Sequence, residues 1–243
     1  MTDDLKSAIL LTGDVFIEGA RLISSLNFQV VAGGWTCLLG GSGTGKSTLL
    51  RLIANLPVHA KLNGSLTSPL GLNLRRDVAY MAQADLLLPW ATVSENVTLG
   101  SRLRGERVDQ ERLNDTLDRV GLYTLRGKKP RELSGGQRQR AALARTLMED
   151  RHLVLLDEPF SALDAQTREE MQNLSVELLE HRSVLIVTHD PLEAARLGNQ
   201  LYILTAAGAK LVTAPSGPPP RSTSDISTLE CQAGLLDSLK GLA

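Results

Sequence analysis

The sequence has few aromatic residues and few cysteines. Only 3% of its 243 residues are aromatic, and its two cysteines, Cys37 and Cys231, lie far apart in the chain. Because neither cysteine has a metal-type partner nearby in the sequence, the pair argues against both a disulfide framework and a zinc site. Cys37 lies in an apolar run, which favours its interpretation as a small core residue.

The sequence also lacks long apolar runs and an excess of charge. No stretch approaches the roughly 18 to 20 consecutive apolar residues that span a bilayer, and the acidic start has no signal-peptide pattern. We therefore expect a chain that stays in the cytoplasm. The formal net charge of -1 gives no general attraction to polyanions. No nucleic-acid partner is predicted.

Apolar residues make up 42% of the chain, which is enough for a sizeable core. Short apolar runs alternate with longer segments of helical periodicity, and this alternation predicts an α/β fold with a mostly parallel sheet covered by helices. Near the start, residues 13–17 and 25–31 alternate apolar with polar positions, which predicts a small antiparallel flanking sheet. The apolar runs are residues 36–39, 78–81, 153–156, 184–187 and 201–204.

Two other regions have a different character. No strand pattern occurs between residue 84 and about residue 150, where apolar residues recur at helical spacing, so an inserted helical subdomain is predicted there. After residue 213 the chain becomes rich in Pro, Gly and Ser, and residues 228–242 are compatible with one further helix. We therefore divide the chain into a main domain, residues 1–213, and a short tail, residues 214–243.

A glycine-rich segment joins the apolar run 36–39 to the helix-like residues 49–54, which is the context of a phosphate-binding P-loop. Glycines permit a tight turn with inward-pointing N–H groups, and the helix N-terminus adds positive potential. Lys46 is predicted to reach the β- and γ-phosphates of ATP, and the Ser47 hydroxyl to ligate Mg2+. A flexible Gly/Ser loop is the alternative. The predicted ATP-binding residues of the loop are Gly40, Gly41, Ser42, Gly43, Thr44, Gly45, Lys46, Ser47 and Thr48.

Two acids, Asp157 and Glu158, follow the apolar run 153–156. The carboxyl ends of parallel strands meet at one edge of the sheet, so both carboxylates are expected beside the P-loop. Asp157 is predicted to hold Mg2+, and Glu158 to orient or deprotonate the water that attacks the γ-phosphate. Without a P-loop, acids at this position are more often solvated turn residues.

Residues 133–137 read Leu-Ser-Gly-Gly-Gln, which matches the signature of ABC ATPases letter for letter. The resemblance extends to Gln83 after a strand, to Ser-Ala-Leu-Asp at 161–164 and to Thr-His-Asp at 188–190. It covers roughly residues 10–210 and implies a RecA-like P-loop NTPase core with Mg-dependent ATPase activity. For the signature alone, a generic helix N-cap is the alternative.

In that family the signature contacts the ATP bound by the partner, so the resemblance implies a head-to-tail dimer with two ATP molecules between the subunits. It further implies that His189 contacts the γ-phosphate, that Gln83 senses Mg2+ and water, and that Phe16 stacks on adenine. The pattern around Phe16 is one residue longer than usual, and core packing is the alternative there. The residues implied to contact the partner's ATP are Ser134, Gly135, Gly136, Gln137 and Asp164. We therefore expect Lys46, Glu158 and His189 to be the catalytic residues, and Ser47, Gln83 and Asp157 to be the Mg2+ ligands.

A single cassette of this length resembles the separate ATPase subunits of bacterial importers. Residues 86–97 resemble the corresponding stretch of the nitrate, sulfonate, taurine and thiamine-precursor group, and Trp90 is a candidate docking residue. The resemblance implies a second cassette as homodimer partner, integral membrane permease subunits and, indirectly, a periplasmic or extracellular solute-binding protein. It places the chain on the inner face of the cell membrane. The alternatives are a soluble ABC ATPase acting in assembly or signalling and a regulator that does not hydrolyse ATP.

Overall fold

The computed structural model describes residues 7–241, which form two β-sheets and the helices that cover them. In chain order, the strands are β1 (Ser7–Ile17), β2 (Ala20–Val31), β3 (Trp35–Leu39), β4 (Ala60–Thr67), β5 (Val78–Met81), β6 (Leu153–Asp157), β7 (Ser183–Thr188), β8 (Gln200–Thr205) and β9 (Gly208–Val212). The larger sheet has the order β5-β6-β7-β3-β8-β9, in which only β9 is antiparallel to its neighbour. The predicted α/β fold with a mostly parallel sheet is confirmed, and each of the five apolar runs is a strand.

The smaller sheet is antiparallel, in the order β2-β1-β4. The predicted pair of strands is present, although both strands are longer than expected. The third strand, β4, was not predicted, because its burial pattern is largely exposed and gives no clean apolar alternation. Strands β1 and β4 approach closely where Gly13 pairs with Gly64, since a Cβ atom on Gly13 would lie 2.3 Å from the carbonyl oxygen of Asn63.

Helices cover the larger sheet and fill the segment between β5 and β6. They are α1 (Lys46–Ile53), α2 (Val93–Val97), α3 (Leu99–Leu103), α4 (Gln110–Arg119), α5 (Gly135–Met148), α6 (Ala165–Leu178), α7 (Pro191–Leu197) and α8 (Ile226–Lys240). Four of them, α2 to α5, lie between β5 and β6, within the segment 84–150 that was predicted to be helical.

The central strands of the larger sheet are buried on both faces, as is usual in parallel sheets. Along β6, Leu153 and Leu155 pack in the cluster that contains α1 and the small sheet, whereas Val154 and Leu156 pack in the cluster that contains α5. The side chains of this strand are therefore used for packing, and its chemistry is confined to the residues at its carboxyl end.

The tail docks on α7. Arg221, only 5% exposed, donates hydrogen bonds from Nη1 to the carbonyl oxygens of Ala195 and Gly198, each at 3.0 Å. Arg196 in turn donates from Nε to the carbonyl oxygen of Arg221 at 2.9 Å. The helix expected over residues 228–242 is α8, and the last residue of that prediction lies outside the described residues. The tail is thus packed onto the domain that it follows.

Candidate nucleotide-binding and hydrolysis site

The P-loop connects β3 to α1 at the carboxyl edge of the larger sheet. Gly43 and Gly45 have φ angles of 79° and 95°, a backbone region that strongly favours glycine. At Gly45 a Cβ atom would also lie 2.6 Å from Cδ2 of Leu22, which would have to shift. These glycines are required by the loop conformation itself.

Lys46, the first residue of α1, points its ammonium group back into the loop. Its Nζ donates hydrogen bonds to the carbonyl oxygens of Gly40 and Gly41 at 2.8 and 2.7 Å. Burial lowers the pKa of Lys46, while the charges of Glu158 and Asp157 act in the opposite direction. A positive charge is therefore held where inward-facing N–H groups and a helix N-terminus favour an anion.

Asp157 ends β6 beside the P-loop helix. Its Oδ1 accepts a hydrogen bond from Ser47 Oγ at 3.0 Å, and its Oδ2 accepts one from the Tyr80 hydroxyl at 3.5 Å. Burial raises the pKa of Asp157, and the hydrogen bond from Ser47 opposes that shift. Oxygen donors from a hydroxyl and a carboxylate fit a hard cation such as Mg2+. The structure thus brings together two predicted magnesium ligands, Ser47 and Asp157. It also shows that Tyr80 is hydrogen-bonded to Asp157, a contact that the sequence did not indicate.

Glu158 follows Asp157 at the carboxyl edge of the larger sheet, and we call the region of Lys46, Asp157 and Glu158, which carries the predicted catalytic groups, the catalytic edge. Its backbone has a φ of 48°, rare for a residue with a side chain, and its N–H donates to the carbonyl oxygen of Val187 at 2.9 Å. Its Oε2 lies 3.0 Å from His189 Nδ1 and 3.3 Å from Gln83 Nε2. The structure therefore brings together the three residues predicted to handle water, with the carboxylate oriented by two neighbours.

The P-loop and this carboxylate line a cleft of about 280 Å³. Its lining residues are Ile17, Leu22, Ser42, Gly43, Gly45, Lys46, Ser47, Thr48, Gln83 and Glu158. Ile17 and Leu22 form an apolar wall that the sequence reasoning missed. Phe16 is not brought to this cleft; it lines a separate depression with His59 and Lys61, because adjacent strand residues point to opposite faces. Adenine stacking by Phe16 stays a prediction, and this placement does not favour it.

The signature segment lies at the start of α5 and is not among the residues that line the cleft. Ser134 Oγ accepts a hydrogen bond from the Gln137 N–H at 3.2 Å, and Gln137 Oε1 accepts one from the Ser134 N–H at 2.8 Å. This capping box satisfies N–H groups at the helix start and leaves the Ser134 hydroxyl proton available for another acceptor. Asp164 similarly caps α6, accepting a hydrogen bond from the Thr167 N–H at 3.0 Å.

A second hollow, of about 40 Å³, adjoins Glu158 and His189 on the side of α6 and α7. It is lined in part by Glu193, which is 4% exposed and whose Oε2 accepts a hydrogen bond from Gln172 Nε2 at 3.3 Å. Burial, with a smaller effect from the charge of Asp190, raises the pKa of Glu193 to about 8. Glu193 is therefore mostly protonated at neutral pH. No sequence pattern marks this group, because its burial depends on how α7 packs.

Large apolar side chains are exposed near the loop that follows Gln83. Trp90 is 70% exposed and Leu86 is 63% exposed. Within residues 7–241, no helix combines the length and the apolar character needed to cross a membrane.

Comparison with known proteins agrees with this site. The model of the ABC transporter family matches residues 23–161, which is more than half of the chain. An uncharacterized ABC transporter ATP-binding protein of Haemophilus influenzae is 40% identical over 231 residues, covering 92% of this chain and 95% of that protein. The chain belongs to the ABC transporter family. The predicted class, an ATPase of that family, is confirmed.

Other relatives carry more specific names. The aliphatic sulfonates import ATP-binding protein SsuB 2 of Streptomyces avermitilis is 42% identical over 220 residues, covering 90% of this chain and 84% of that protein. The SsuB of Escherichia coli K12 is 40% identical, covering 88% of this chain and 84% of that protein. Among solved structures, a dimeric ATP-binding cassette in a post-hydrolysis state with ADP and Pi has a TM-score of 0.73 at 28% identity, covering 86% of this chain and all of that chain.

Proposed function

We propose that this chain is the ATP-hydrolysing subunit of an importer for a small solute, and that it works as a dimer closed by ATP. The observation that carries this proposal is the convergence of Gln83, Glu158 and His189 at the P-loop cleft. An ATP-binding module without hydrolysis has no need of a carboxylate oriented in this way beside a phosphate site.

Different residues of the cleft have different roles in hydrolysis. Lys46 and the N–H groups of the P-loop bind the phosphate oxygens of ATP. Glu158, held by His189 and Gln83, orients the attacking water and accepts its proton. Mg2+, when held by Ser47 and Asp157, supplies positive charge next to the phosphates. Ile17 and Leu22 supply the apolar part of the cleft lining.

The signature segment supports a head-to-tail dimer. It is absent from the lining of the chain's own cleft, and Ser134 retains a hydroxyl proton at the N-terminus of the 14-residue helix α5. A phosphate group brought to this helix end by a second copy would meet both a hydroxyl donor and the positive end of the helix dipole. Gly135, Gly136 and Gln137 form the first turn of α5, and Gly136 lies against residues 162–163, next to Asp164, so these residues would complete that contact.

The partners and cargo that we propose are based on the names of the relatives. Several are named as aliphatic sulfonates import ATP-binding proteins, so we assign this chain to an importer of sulfonate-type or related small solutes. Nitrate, taurine and thiamine precursors are also among the solutes that we expect as cargo. The chain would then sit on the inner face of the membrane, bound to permease subunits that receive solute from an external binding protein. The exposed side chains of Trp90 and Leu86 supply an apolar surface for the permease.

The test is the mass of the Glu158→Gln protein in solution with and without Mg-ATP. We expect a monomer without ATP and a dimer with ATP, because removing the base allows binding without turnover. Ser134→Arg in the same background should remain monomeric, since the larger side chain blocks the partner's phosphate site. A Glu158→Gln protein that stays monomeric with saturating ATP would contradict the homodimer.

The importer assignment has a separate test. Membranes of the source organism are cross-linked and the chain is recovered under denaturing conditions. Recovery of integral membrane subunits supports the assignment, whereas recovery of soluble scaffold proteins alone would contradict it.

A further inference from the structure

A buried amide on α5 contacts the backbone of the catalytic glutamate. Gln139 is 6% exposed, and both ends of its amide are hydrogen-bonded. Nε2 donates to the carbonyl oxygen of Glu158 at 3.0 Å, and Oε1 accepts from the Ala162 N–H at 2.8 Å. Buried amides bonded at both ends have a fixed orientation, so Gln139 defines where residues 158–162 lie relative to α5.

The backbone that Gln139 contacts lies outside the regular strands and helices. Glu158 has its unusual positive φ, and residues 159–164 form a loop before α6 begins at Ala165. Within the loop, Ser161 Oγ donates to the same carbonyl oxygen of Glu158 at 3.0 Å. A residue in a sparsely populated conformation persists only when its surroundings hold it there. From outside this loop, the Glu158 N–H is held by the carbonyl oxygen of Val187, whereas Gln139 bonds both the Glu158 carbonyl oxygen and the Ala162 N–H and so joins the two ends of this stretch.

The first turn of α5 also rests directly on the loop. A Cβ atom on Gly136 would lie 3.4 Å from Leu163 Cδ2 and 3.6 Å from the carbonyl oxygen of Ala162. Leu163 is itself only 5% exposed. The helix start, which carries the signature segment, therefore packs against the loop that carries the catalytic glutamate, through one apolar contact and one bidentate amide.

We propose that Gln139 is a positioning residue that ties the signature segment of each chain to its own Glu158. This inference rests on the proposed dimer, in which the signature segment contacts the partner's ATP. Because α5 is a rigid helix from Gly135 onwards, a shift of its N-terminus on meeting that ATP moves the amide of Gln139 as well. The amide then sets the position of the Glu158 backbone. In this way, ATP bound at one site changes the rate of hydrolysis at the other.

The experiment compares Gln139→Met with the matched control Gln172→Met. Methionine keeps the length of glutamine and removes its hydrogen bonds. Gln172 is also a buried amide, 3% exposed, but it bonds to Glu193 and Arg196 and not to residues 158–162. The four readouts are kcat and KM for ATP, the Hill coefficient, amide hydrogen exchange at Ala162, and ATP-driven dimerisation in the Glu158→Gln background.

For Gln139→Met we expect kcat to fall about 10- to 100-fold, the size of effect that a small misplacement of a catalytic group produces. KM should stay within about twofold and dimerisation should persist, since the P-loop and the signature are unaltered. The Hill coefficient should fall from above one to about one, and exchange at Ala162 should accelerate. Gln172→Met should lose thermal stability while keeping the wild-type kcat, Hill coefficient and Ala162 exchange.

Wild-type kcat and Hill coefficient in Gln139→Met would overturn the inference, as would an equal loss of kcat in Gln172→Met. If Gln139→Met does not fold, Gln139→Asn replaces it, because a side chain one methylene shorter keeps the amide but cannot make both bonds. A Glu158→Gln protein that never dimerises is a different result. It overturns the proposed dimer, and with it the coupling, while faster exchange at Ala162 would still report the local contact.

Discussion

The catalytic edge and the signature segment are built in different ways. At the catalytic edge, Lys46, Asp157 and Glu158 all find polar partners within the same chain, and Asp157 and Glu158 stand at the end of a strand that is buried on both faces. The polar groups of the signature bond mainly within their own capping box, at an exposed helix start. The first region is assembled by a single chain. The second has a hydroxyl proton and a helix N-terminus that lie outside the chain's own cleft, so in the proposed dimer its chemistry depends on the phosphate that the second copy brings to it.

This difference matters for interpreting variants. A change at the catalytic edge should alter the behaviour of the isolated chain. A change at the signature should leave ATP binding by the isolated chain unchanged and should act mainly on the proposed dimer.

The largest effect is expected for Glu158→Gln. The amide keeps the size of the side chain but cannot accept the proton of the attacking water, so kcat should fall about 10²- to 10⁴-fold. Phosphate release measured at saturating Mg-ATP checks this, and nucleotide affinity should stay near that of the wild type. Retention of more than about a tenth of the activity would assign the base to another group.

Two variants, Lys46→Ala and Ser134→Arg, test whether the catalytic edge but not the signature segment contributes to ATP binding by the isolated chain. Lys46→Ala removes a buried cation from the P-loop and should weaken ATP binding by the isolated chain at least about tenfold. Ser134→Arg should leave that affinity unchanged, because the signature does not line the cleft. Titration with a fluorescent ATP analogue, at protein concentrations too low for dimerisation, measures both. An equal loss of ATP affinity in the two variants would mean that the signature segment contributes to the ATP site of its own chain.

A change in the docked tail should reduce stability rather than activity. Arg221→Ala removes a buried guanidinium that donates to the carbonyl oxygens of Ala195, Gly198 and Ser216. Leaving such groups without partners costs on the order of 2–4 kcal/mol, which for a chain of this size lowers Tm by roughly 4–16 °C. Thermal unfolding measures the loss. The control Arg107→Ala, at an exposed loop position, should change stability by less than about 0.5 kcal/mol.

The smallest effect is a pH dependence from Glu193. Its pKa is about 8 in the folded chain, above its ordinary value of 4.5, so the folded chain holds this proton while the unfolded chain has released it. Between pH 4.5 and 8 the unfolded state therefore binds fewer protons, and the stability of the wild type falls as pH rises. The groups around Glu193 that share in this balance are Asp190, Thr188, Gln172, Arg168, Arg196 and Cys37.

Glu193→Gln removes that titration. The Tm of the variant minus that of the wild type should increase from pH 5 to pH 8, and then level off. A shift corresponding to at least about 1 kcal/mol is expected, since one pKa unit is equivalent to about 1.4 kcal/mol. Tm measured in overlapping buffers at constant ionic strength checks it. A difference independent of pH would mean that Glu193 is ionised in the folded chain across this range.

Much of the fold was predictable because its strands are short apolar runs and its loops contain glycine. The P-loop and the acids after β6 are local patterns, and backbone geometry requires Gly43 and Gly45 whatever the rest of the chain does. Strand β4 was missed because it is mostly exposed, so no apolar period marks it. The side of the sheet on which Phe16 lies depends on the register of β1, which sequence spacing does not specify.

By itself the sequence determined the phosphate loop, the pair of acids and the signature, because each is a contiguous pattern whose local geometry follows from the residue types. Only the tertiary structure decided that Gln83 and His189 meet at one carboxylate oxygen of Glu158, that Ile17 and Leu22 wall the cleft, and that Gln139 supports the catalytic backbone. These contacts join residues from separate strands, helices and loops. Their distances are set by how the sheet and helices pack, and packing is a property of the whole chain.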